Sequence, residues 1–258
     1  MALHLRERLH DGNPFLFSWM GIPGSQLAGQ LARAGLDGVC LDLQHGLIGM
    51  DQANGMADAI NAASKPCITR VLWNDPGLIG QALDFGSAIV IAPMVNTVEH
   101  AKALVKAAKY PPMGQRSWGG YAMVQVSGKS PAEYLKEANR DTMVFAMVET
   151  QEALDIVDEI AAVPGLDGLF VGPSDLSIAL SKGAELNRLS AANLVAMKKI
   201  AETARKYKLV AGAFAGTPEI IKSYSAMGYT FLAAVTDNDV LKLGVSAATG
   251  GLSLKPAT

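Results

Sequence analysis

The fold is decided by the stretch MVFAMVETQEALDIVDEIAAVPGLDGLFVGPSD, residues 143–175. It begins with an apolar run that ends at Glu149, continues with helical spacing, and finishes with a second apolar run that leads to Asp175. A strand, a helix and a second strand in this order predict a βαβ unit with parallel strands. Runs that are apolar throughout, rather than alternating, are typical of a parallel sheet that is buried on both faces.

The same unit recurs along the chain. Helix start signals precede the helical segments, as at Gly24-Ser25-Gln26, Asn74-Asp75-Pro76 and Thr217-Pro218-Glu219. The apolar runs predict eight strands: Phe15–Met20, Gly38–Leu43, Pro66–Val71, Ala88–Met94, Met143–Val148, Gly168–Gly172, Leu209–Phe214 and Tyr229–Val235. Eight such units in a single domain, residues 1–258, predict an α/β fold of the (β/α)₈ TIM barrel type, which usually needs about 250 residues. An open doubly wound sheet is the less favoured alternative.

The composition disfavours several classes of protein. With 22 basic and 24 acidic residues the net charge is −2, without the basic excess expected of a nucleic-acid-binding protein. No apolar stretch approaches the roughly 18 residues of a membrane span, and the N-terminal segment MALHLRERLHDG lacks the pattern of a signal peptide. Cys40 and Cys67 lie in apolar runs, which favours buried, reduced thiols in a cytoplasmic protein over a catalytic cysteine. We therefore expect neither a nucleic-acid nor a membrane partner.

The longest irregular segment is predicted at Tyr110–Pro131, between the fourth and fifth strands. It is rich in glycine, serine, proline and aromatic residues, and loops of this length are usually functional. Packing against a neighbouring subunit is an equally favoured alternative.

In a barrel the active site lies at the C-terminal ends of the strands. Polar or aromatic residues at or just after the predicted strand ends are Trp19, Asp42, His45, Arg70, Glu149, Asp175 and, further on, Asp237. Glu149 and Asp175 follow consecutive strands, which lie about 4.8 Å apart, so the two carboxylates can share one cation. Such a site suits Mg²⁺ or Mn²⁺ better than a structural zinc ion, with Co²⁺ or Zn²⁺ as further candidates. For either carboxylate alone, the alternative is a helix cap.

His45, in LDLQHG, is the one histidine of four that follows a strand. Asp42 precedes it by three residues and could orient the imidazole and stabilise its charged form, as in a general base. The alternative is a structural or solvent-exposed histidine.

Arg70 ends the run CITR, where a guanidinium can anchor an anionic or enolate oxygen. Its alternative is a salt bridge between two loops.

Four further features bear on the chemistry of the site. The turn before the helix at Asp175 could direct the amides of Ser174 and Asp175 toward a carboxylate, or it is a plain connection. No predicted strand ends in lysine, which disfavours a Schiff-base aldolase, and no GxxxxGK[ST] phosphate loop is present. Trp19 and Phe214 are candidates for shaping the substrate pocket, with core packing as the alternative.

With these residues placed, the sequence resembles the HpcH/HpaI family of metal-dependent (class II) pyruvate aldolases. The likeness is greatest to members that cleave 4-hydroxy-2-oxoheptanedioate or 2-dehydro-3-deoxyglucarate. It is carried by the segments LDLQHG, the ITR strand end, ALDFGSAIVIAPMV, KYPPMGQRS, VETQEALDIVDEI and GLDGLFVGPSDLS. The resemblance implies a carbon–carbon lyase that reversibly cleaves 4-hydroxy-2-oxo acids to pyruvate, or a relative such as hydroxypyruvate, and an aldehyde through an enolate. It also implies a homohexamer, a trimer of dimers that exchange the final helix.

The resemblance further implies a role for each matching position. Glu149 and Asp175 would be the metal ligands, with water and the substrate completing the shell. The amides of Ser174 and Asp175 would bind the substrate carboxylate, and Arg70 the 2-oxo oxygen. His45 would move the proton, supported by Asp42 and by Asp84 of an adjoining subunit.

The chain departs from the family pattern at two positions. Met147 stands where the family commonly has a glutamine, and Gln44 stands where a glutamate is more familiar. Both indicate a divergent subgroup, whose aldehyde substrate need not be the one used by the well-known members. Two alternative functions stay open: a lyase for coenzyme A esters on a similar barrel, and a non-catalytic barrel scaffold.

Overall fold

The computed structural model describes residues 2–250, which form a closed barrel of eight parallel strands. Each strand pairs with the next one along the chain, and β8 pairs with β1. The strands are β1 (Phe15–Met20), β2 (Gly38–Asp42), β3 (Cys67–Arg70), β4 (Ser87–Ala92), β5 (Met143–Val148), β6 (Gly168–Val171), β7 (Val210–Phe214) and β8 (Phe231–Thr236). All eight lie within two residues of the predicted runs, and the predicted TIM barrel is confirmed. The prediction of one domain over residues 1–258 reaches residues 1 and 251–258, which lie outside the described part.

Helices connect the strands and cover the barrel. They are α1 (Ala2–His10), α2 (Ser25–Arg33), α3 (Met50–Ala62), α4 (Pro76–Asp84), α5 (Val98–Ala108), α6 (Tyr121–Ser127), α7 (Pro131–Asp141), α8 (Gln151–Asp155), α9 (Val157–Ala161), α10 (Pro173–Leu180), α11 (Ala191–Lys206), α12 (Pro218–Met227) and α13 (Asp237–Ala248). Between residues 2 and 250, none of them has the length and apolar character needed to cross a bilayer.

The predicted start signals act as caps at two of these helices. Asp75 accepts hydrogen bonds from the amides of Gly77 and Leu78, at 2.8 and 3.0 Å, and Thr217 caps α12 in the same manner. At α2 the N-cap is Gly24, so the serine of the predicted signal is the first residue of the helix. A side-chain cap typically contributes about 1 kcal/mol, and it sets the point at which the chain turns from strand into helix.

Aromatic rings fill the interior of the barrel. Phe17 stacks on Phe231 with ring centroids 4.3 Å apart. A glycine on β7 makes room for these rings, because a methyl group at Gly212 would lie 2.7 Å from the ring of Phe170. The interior is therefore a packed core and not a pore, and barrel active sites lie above such a core, at the C-terminal mouth.

The opposite end of the barrel is closed by α1. Leu5 and Leu9 belong to the same buried cluster as the interior rings. Asp167 joins α1 to the barrel, since it accepts from Arg6 Nη2 at 2.6 Å and from Lys109 Nζ at 2.9 Å. Burial lowers the pKa of Lys109, and the charge of Asp167 opposes this. Lys109 is thus a buried structural cation at the base, away from the mouth.

The connection between β4 and β5 contains a helix that was not predicted, and the last helix exposes an apolar face. The prediction that residues 110–131 are irregular is wrong in part, because they contain α6, and Pro131 begins α7. Glycines flank the seven residues of α6, and Gly128 ends it in the left-handed region at φ 66°, which made the segment resemble a loop. Helix α13 buries only Asp237 and exposes Val240, Leu241, Leu243 and Val245.

Candidate active site

Two carboxylates meet at the mouth, between β5 and β6. The strands pair Val148 with Val171, so the residues that follow, Glu149 and Gly172, are neighbours. A methyl group at Gly172 would lie 2.7 Å from Glu149 Oε2 and 3.4 Å from Asp175 Oδ2. The two oxygens therefore face one small space, which exists because residue 172 has no side chain.

Neither carboxylate caps a helix. Thr150 caps α8 by accepting a hydrogen bond from the amide of Ala153 at 3.1 Å. Gly172 is the N-cap residue of α10, and Asp175 lies in the first turn of that helix without a side-chain cap bond. The capping alternative is wrong for Glu149 and for Asp175, and both side chains are available to a ligand.

Glu149 is held from the neighbouring loop after β4. Its Oε1 accepts a hydrogen bond of 2.8 Å from the amide of Met94, whose φ of 55° is left-handed and unusual for a residue with a side chain. Glu149 Oε2 accepts no hydrogen bond from residues 2–250 and is not enclosed. Burial raises the pKa of Glu149, the amide of Met94 lowers it, and the charge of Asp175 raises it further. A cation at Oε2 would remove the cost of keeping this carboxylate ionised.

Asp42 at the end of β2 and Arg70 at the end of β3 form a buried, bidentate ion pair. Arg70 Nε donates to Asp42 Oδ1 at 2.8 Å, and Nη2 donates to Oδ2 at 2.6 Å. Trp19 donates its indole N–H to the same Oδ2 at 3.1 Å, and its ring centroid lies 4.8 Å from the Arg70 guanidinium carbon. Burial would raise the pKa of Asp42, but the bonds and charge of Arg70 outweigh it and hold that pKa low. Arg70 Nη1 has no acceptor in residues 2–250 and is not enclosed, so it can still bind a ligand oxygen.

The contact predicted between Asp42 and the His45 imidazole is absent. Asp42 Oδ1 instead accepts from the backbone amide of His45 at 3.2 Å, because its two oxygens are already engaged by Arg70 and Trp19. The imidazole of His45 is exposed and makes no hydrogen bond with any residue from 2 to 250. Asp42 thus orients Arg70 and the turn that carries His45, and it does not orient the ring.

The amides of Ser174 and Asp175 lie at the second and third positions of α10, which begins at Pro173. Backbone N–H groups in the first turn of a helix have no acceptor within that helix. The same turn brings the carboxylate of Asp175 to the space beside Gly172. The beginning of α10 therefore offers both a carboxylate and free amides at one place.

The two aromatic candidates occupy different depths. Trp19 is 7 % exposed and stacks on Phe170 in the interior, with ring centroids 5.8 Å apart. Phe214 is only partly buried and meets Trp19 edge to face at 5.6 Å. Trp19 is a core residue that also supports Asp42, whereas Phe214 ends β7 and keeps part of its surface uncovered.

Four other residues lie away from the mouth or serve another purpose. Asp84 ends α4 near the start of β4, at the opposite end of the barrel, where its Oδ1 accepts from Arg116 at 2.8 Å. Asp237 accepts from the amides of Gly21 and Ile22, which fixes the loop after β1. Both cysteines are buried, and burial raises the pKa of the Cys67 thiol to about 12, which excludes it as a thiolate nucleophile near neutral pH.

Comparison with known proteins identifies the family to which this chain belongs. The family model described as HpcH/HpaI aldolase/citrate lyase matches residues 17–242. The chain belongs to this family. A hydroxypyruvate/pyruvate aldolase of Rhizorhabdus wittichii is 35% identical over 233 residues, which cover 90% of this chain and 92% of the relative. A 4-hydroxy-2-oxo-heptane-1,7-dioate aldolase of Klebsiella pneumoniae is 30% identical over 242 residues, 94% of this chain and 91% of the relative. A family protein of Burkholderia cenocepacia has a crystal structure similar to this one, with a TM-score of 0.83, 29% identity, and coverage of 95% and 96%.

The donor set also fits a divalent cation that carries its own water or substrate. In the part of the chain that the structure describes, no three or more histidine, cysteine, aspartate or glutamate side chains are arranged so that they could hold a metal ion. The two carboxylates at Gly172 thus form a pair, without the four protein ligands of a structural zinc site. Oxygen pairs with open positions suit Mg²⁺ or Mn²⁺.

Two residues contribute to the site in ways that were not predicted from the sequence. Gly172 could have been noticed, since a glycine directly after a buried strand often marks a close approach of other groups. Met94 gives no such signal, because a non-glycine residue at positive φ is not visible in a sequence.

Proposed function

We propose that this protein is a class II, metal-dependent aldehyde-lyase. It reversibly cleaves 4-hydroxy-2-oxo acids to pyruvate, or to a close relative such as hydroxypyruvate, and an aldehyde. The observation that carries the proposal is the convergence of Glu149 Oε2 and Asp175 Oδ2 on the space at Gly172, in a chain of this family. Relatives that match over nine-tenths of the chain are named aldolases of this type.

Glu149 and Asp175 would hold the ion, Mg²⁺ or Mn²⁺ by the chemistry of the donors, with Co²⁺ or Zn²⁺ as possible substitutes. When bound, such an ion polarises the 2-oxo group and stabilises the negative charge that develops on it. The hydrogen bond from Met94 to Glu149 Oε1 leaves Oε2 directed toward the space that the ion would fill.

The residues of the chain supply the remaining steps. Arg70 Nη1 donates to the 2-oxo oxygen, and the amides of Ser174 and Asp175 bind the carboxylate of the substrate. In cleavage, His45 accepts the proton of the C4 hydroxyl, directly or through water. The C3–C4 bond then breaks, its electron pair stays with the pyruvyl half as an enolate, and the aldehyde leaves. A proton returned to C3 completes pyruvate, and synthesis follows the same steps in reverse.

We further propose that the protein assembles as a homohexamer, a trimer of dimers. Helix α13 leaves four large apolar side chains exposed, and in this assembly the final helix would cover them by packing on a neighbouring barrel. Asp84 ends α4 next to the start of β4, whereas His45 follows the end of β2, so we infer that Asp84 assists proton transfer from an adjoining subunit. We place the protein in the cytoplasm because its two buried cysteines are unpaired.

Met147 is the departure with the most direct chemical consequence. Its side chain is 1% exposed, and its Cε would lie 3.1 Å from a methyl group at Gly172. A glutamine here would place a polar amide beside the two carboxylates, whereas methionine supplies an apolar wall. We expect weaker orientation of water beside the ion and therefore a broader choice of donor.

The test is a pyruvate-release screen over 4-hydroxy-2-oxo acids, coupled to lactate dehydrogenase, with and without Mg²⁺ or Mn²⁺. Turnover should require the metal, disappear with EDTA, and be abolished in Glu149→Ala and Asp175→Ala. Full activity in EDTA refutes the metal mechanism. Cleavage of coenzyme A thioesters but not of free acids favours the CoA-ester lyase. Neither Mn²⁺ binding nor turnover favours the scaffold.

A further inference from the structure

A second guanidinium lies at the rim of the mouth, on the loop between α10 and α11. The Arg188 guanidinium carbon is 6.0 Å from the ring centroid of Phe214. Its Nη1 is 3.5 Å from the carbonyl oxygen of Ala215, a distance at the outer limit of a hydrogen bond. No aspartate or glutamate among the described residues forms an ion pair with Arg188. A partly buried arginine without a carboxylate partner has unused donors.

Hydrogen bonds hold this loop to the turn that carries Asp175, one of the two carboxylates. Asn193, which is fully buried in α11, donates from Nδ2 to the carbonyl of Arg188 at 2.9 Å and to the carbonyl of Pro173 at 3.2 Å. Pro173 is the first residue of α10, two residues before Asp175. The backbone of Arg188 is thus held in a fixed relation to the metal-binding end of the site, although the loop around it is exposed.

A continuous series of contacts leads from Arg188 to the oxo-acid end. Arg188 lies against Phe214, the edge of Phe214 meets Trp19, and Trp19 lies beneath Arg70. The two guanidinium groups therefore flank one aromatic wall. The oxo acid would be bound at Arg70, so the part of the substrate that becomes the aldehyde extends along this wall toward the rim.

We propose that Arg188 is a specificity-determining residue that binds a carboxylate, or a similar anion, at the far end of the aldehyde. This inference rests on the proposed aldolase function and adds the chemical class of the aldehyde. The partly buried position above an aromatic ring lowers the cost of desolvating the guanidinium and favours a planar, two-oxygen partner. Aldehydes that end in a carboxylate are then preferred over neutral aldehydes of the same length.

The experiment measures aldol addition of pyruvate to two pairs of acceptors in the presence of Mg²⁺. The pairs are succinic semialdehyde with butanal, and glutaric semialdehyde with pentanal, so that the members of each pair differ chiefly in the terminal carboxylate. Wild type is compared with Arg188→Gln and Arg188→Lys. Lys182→Gln is the matched control, because it removes one positive charge from the same loop region at an exposed position.

We expect Arg188→Gln to lower the ratio of kcat/KM for the carboxylated over the neutral aldehyde by about 10- to 100-fold, the usual loss of a charge-assisted hydrogen bond. Arg188→Lys should lose less, and Lys182→Gln should leave the ratio unchanged. The KM for pyruvate and the activity with butanal should stay within about twofold in every variant, since the oxo-acid end is not altered.

Three results would overturn the assignment: an unchanged ratio in Arg188→Gln, an equal loss with both aldehydes, or the same change in Lys182→Gln. An equal loss would mean that Arg188 only holds the loop. Wild-type protein that joins pyruvate to none of the four aldehydes would instead count against the proposed function. The two failures are therefore distinct.

Discussion

The substitution Gly172→Ala tests the carboxylate pair without removing either ligand. Gly172 has φ −87° and ψ 89°, a negative φ that alanine also adopts, so the backbone need not rearrange. The new methyl group would lie 2.7 Å from Glu149 Oε2, 3.1 Å from Met147 Cε and 3.4 Å from Asp175 Oδ2. It would occupy the space in which we place the cation.

The size of the effect follows from these distances. Ordinary contacts between nonbonded heavy atoms are about 3.5 Å or longer, so the Glu149 carboxylate must withdraw by roughly half an ångström or more. Functional sites tolerate displacements of about 0.5 Å before they lose productive geometry. We therefore expect Mn²⁺ affinity to fall at least 10- to 100-fold, the loss usual when a ligand is disturbed through its surroundings. The free energy of unfolding should fall by only about 1 kcal/mol, because overpacking is partly offset by the reduced entropy of the unfolded chain.

Calorimetric titration with Mn²⁺ and the pyruvate-release assay measure the two effects, and thermal unfolding gives the stability. Gly80→Ala in α4 is the matched control, since among the described residues no atom beyond its chain neighbours and the adjacent helix backbone lies within 4 Å of the new methyl group. Mn²⁺ affinity and turnover that equal those of wild type in Gly172→Ala would refute the placement of the ion between Glu149 and Asp175.

Three further predictions concern single side chains. His45→Ala should lower kcat/KM for cleavage by roughly 10²–10⁴, with Mn²⁺ affinity unchanged, and a steady-state assay that shows full activity would exclude His45 as the base. Asp42→Asn leaves the Arg70 charge buried without its partner, so urea denaturation should show a loss of about 3 kcal/mol; a loss below 1 kcal/mol would contradict a strong ion pair. Because burial raises the pKa of Glu149 above 4.5, the folded metal-free protein binds that proton more tightly than the unfolded chain does. Its stability should therefore fall as the pH rises through the raised pKa, and Glu149→Gln should remove this dependence in a series of thermal unfolding curves; an identical dependence in both proteins would contradict it.

The barrel was predictable because its strands are buried on both faces, which leaves a plain apolar signature in the sequence. The pairing of Asp42 with Arg70 was also within reach. Both residues close adjacent predicted strands, and the register aligns them directly. The shorter separation along the chain instead suggested Asp42 and the His45 imidazole, which are kept apart because the carboxylate is already bound.

Other parts of the site depend on conformations that a sequence does not display. The left-handed backbone at Met94 and the buried Asn193 that fixes the Arg188 loop arise from tertiary packing. Helix α6 escaped detection because its seven residues lie between glycines. Such features become visible only when the neighbouring segments are placed around them.

Because α1 closes the end of the barrel opposite the mouth, the residues that stabilise the fold there are separated from those that bind the substrate. Arg6, Asp167 and Lys109 join the N-terminal helix to the underside of the sheet, at the end remote from Glu149. Substitutions there should alter the thermal stability of the enzyme without altering which aldehyde it accepts. Conversely, the loops around Phe214 and Arg188 can change in sequence while the base keeps the scaffold intact. Selection for a new substrate and selection for heat resistance could thus proceed on different residues of one small protein.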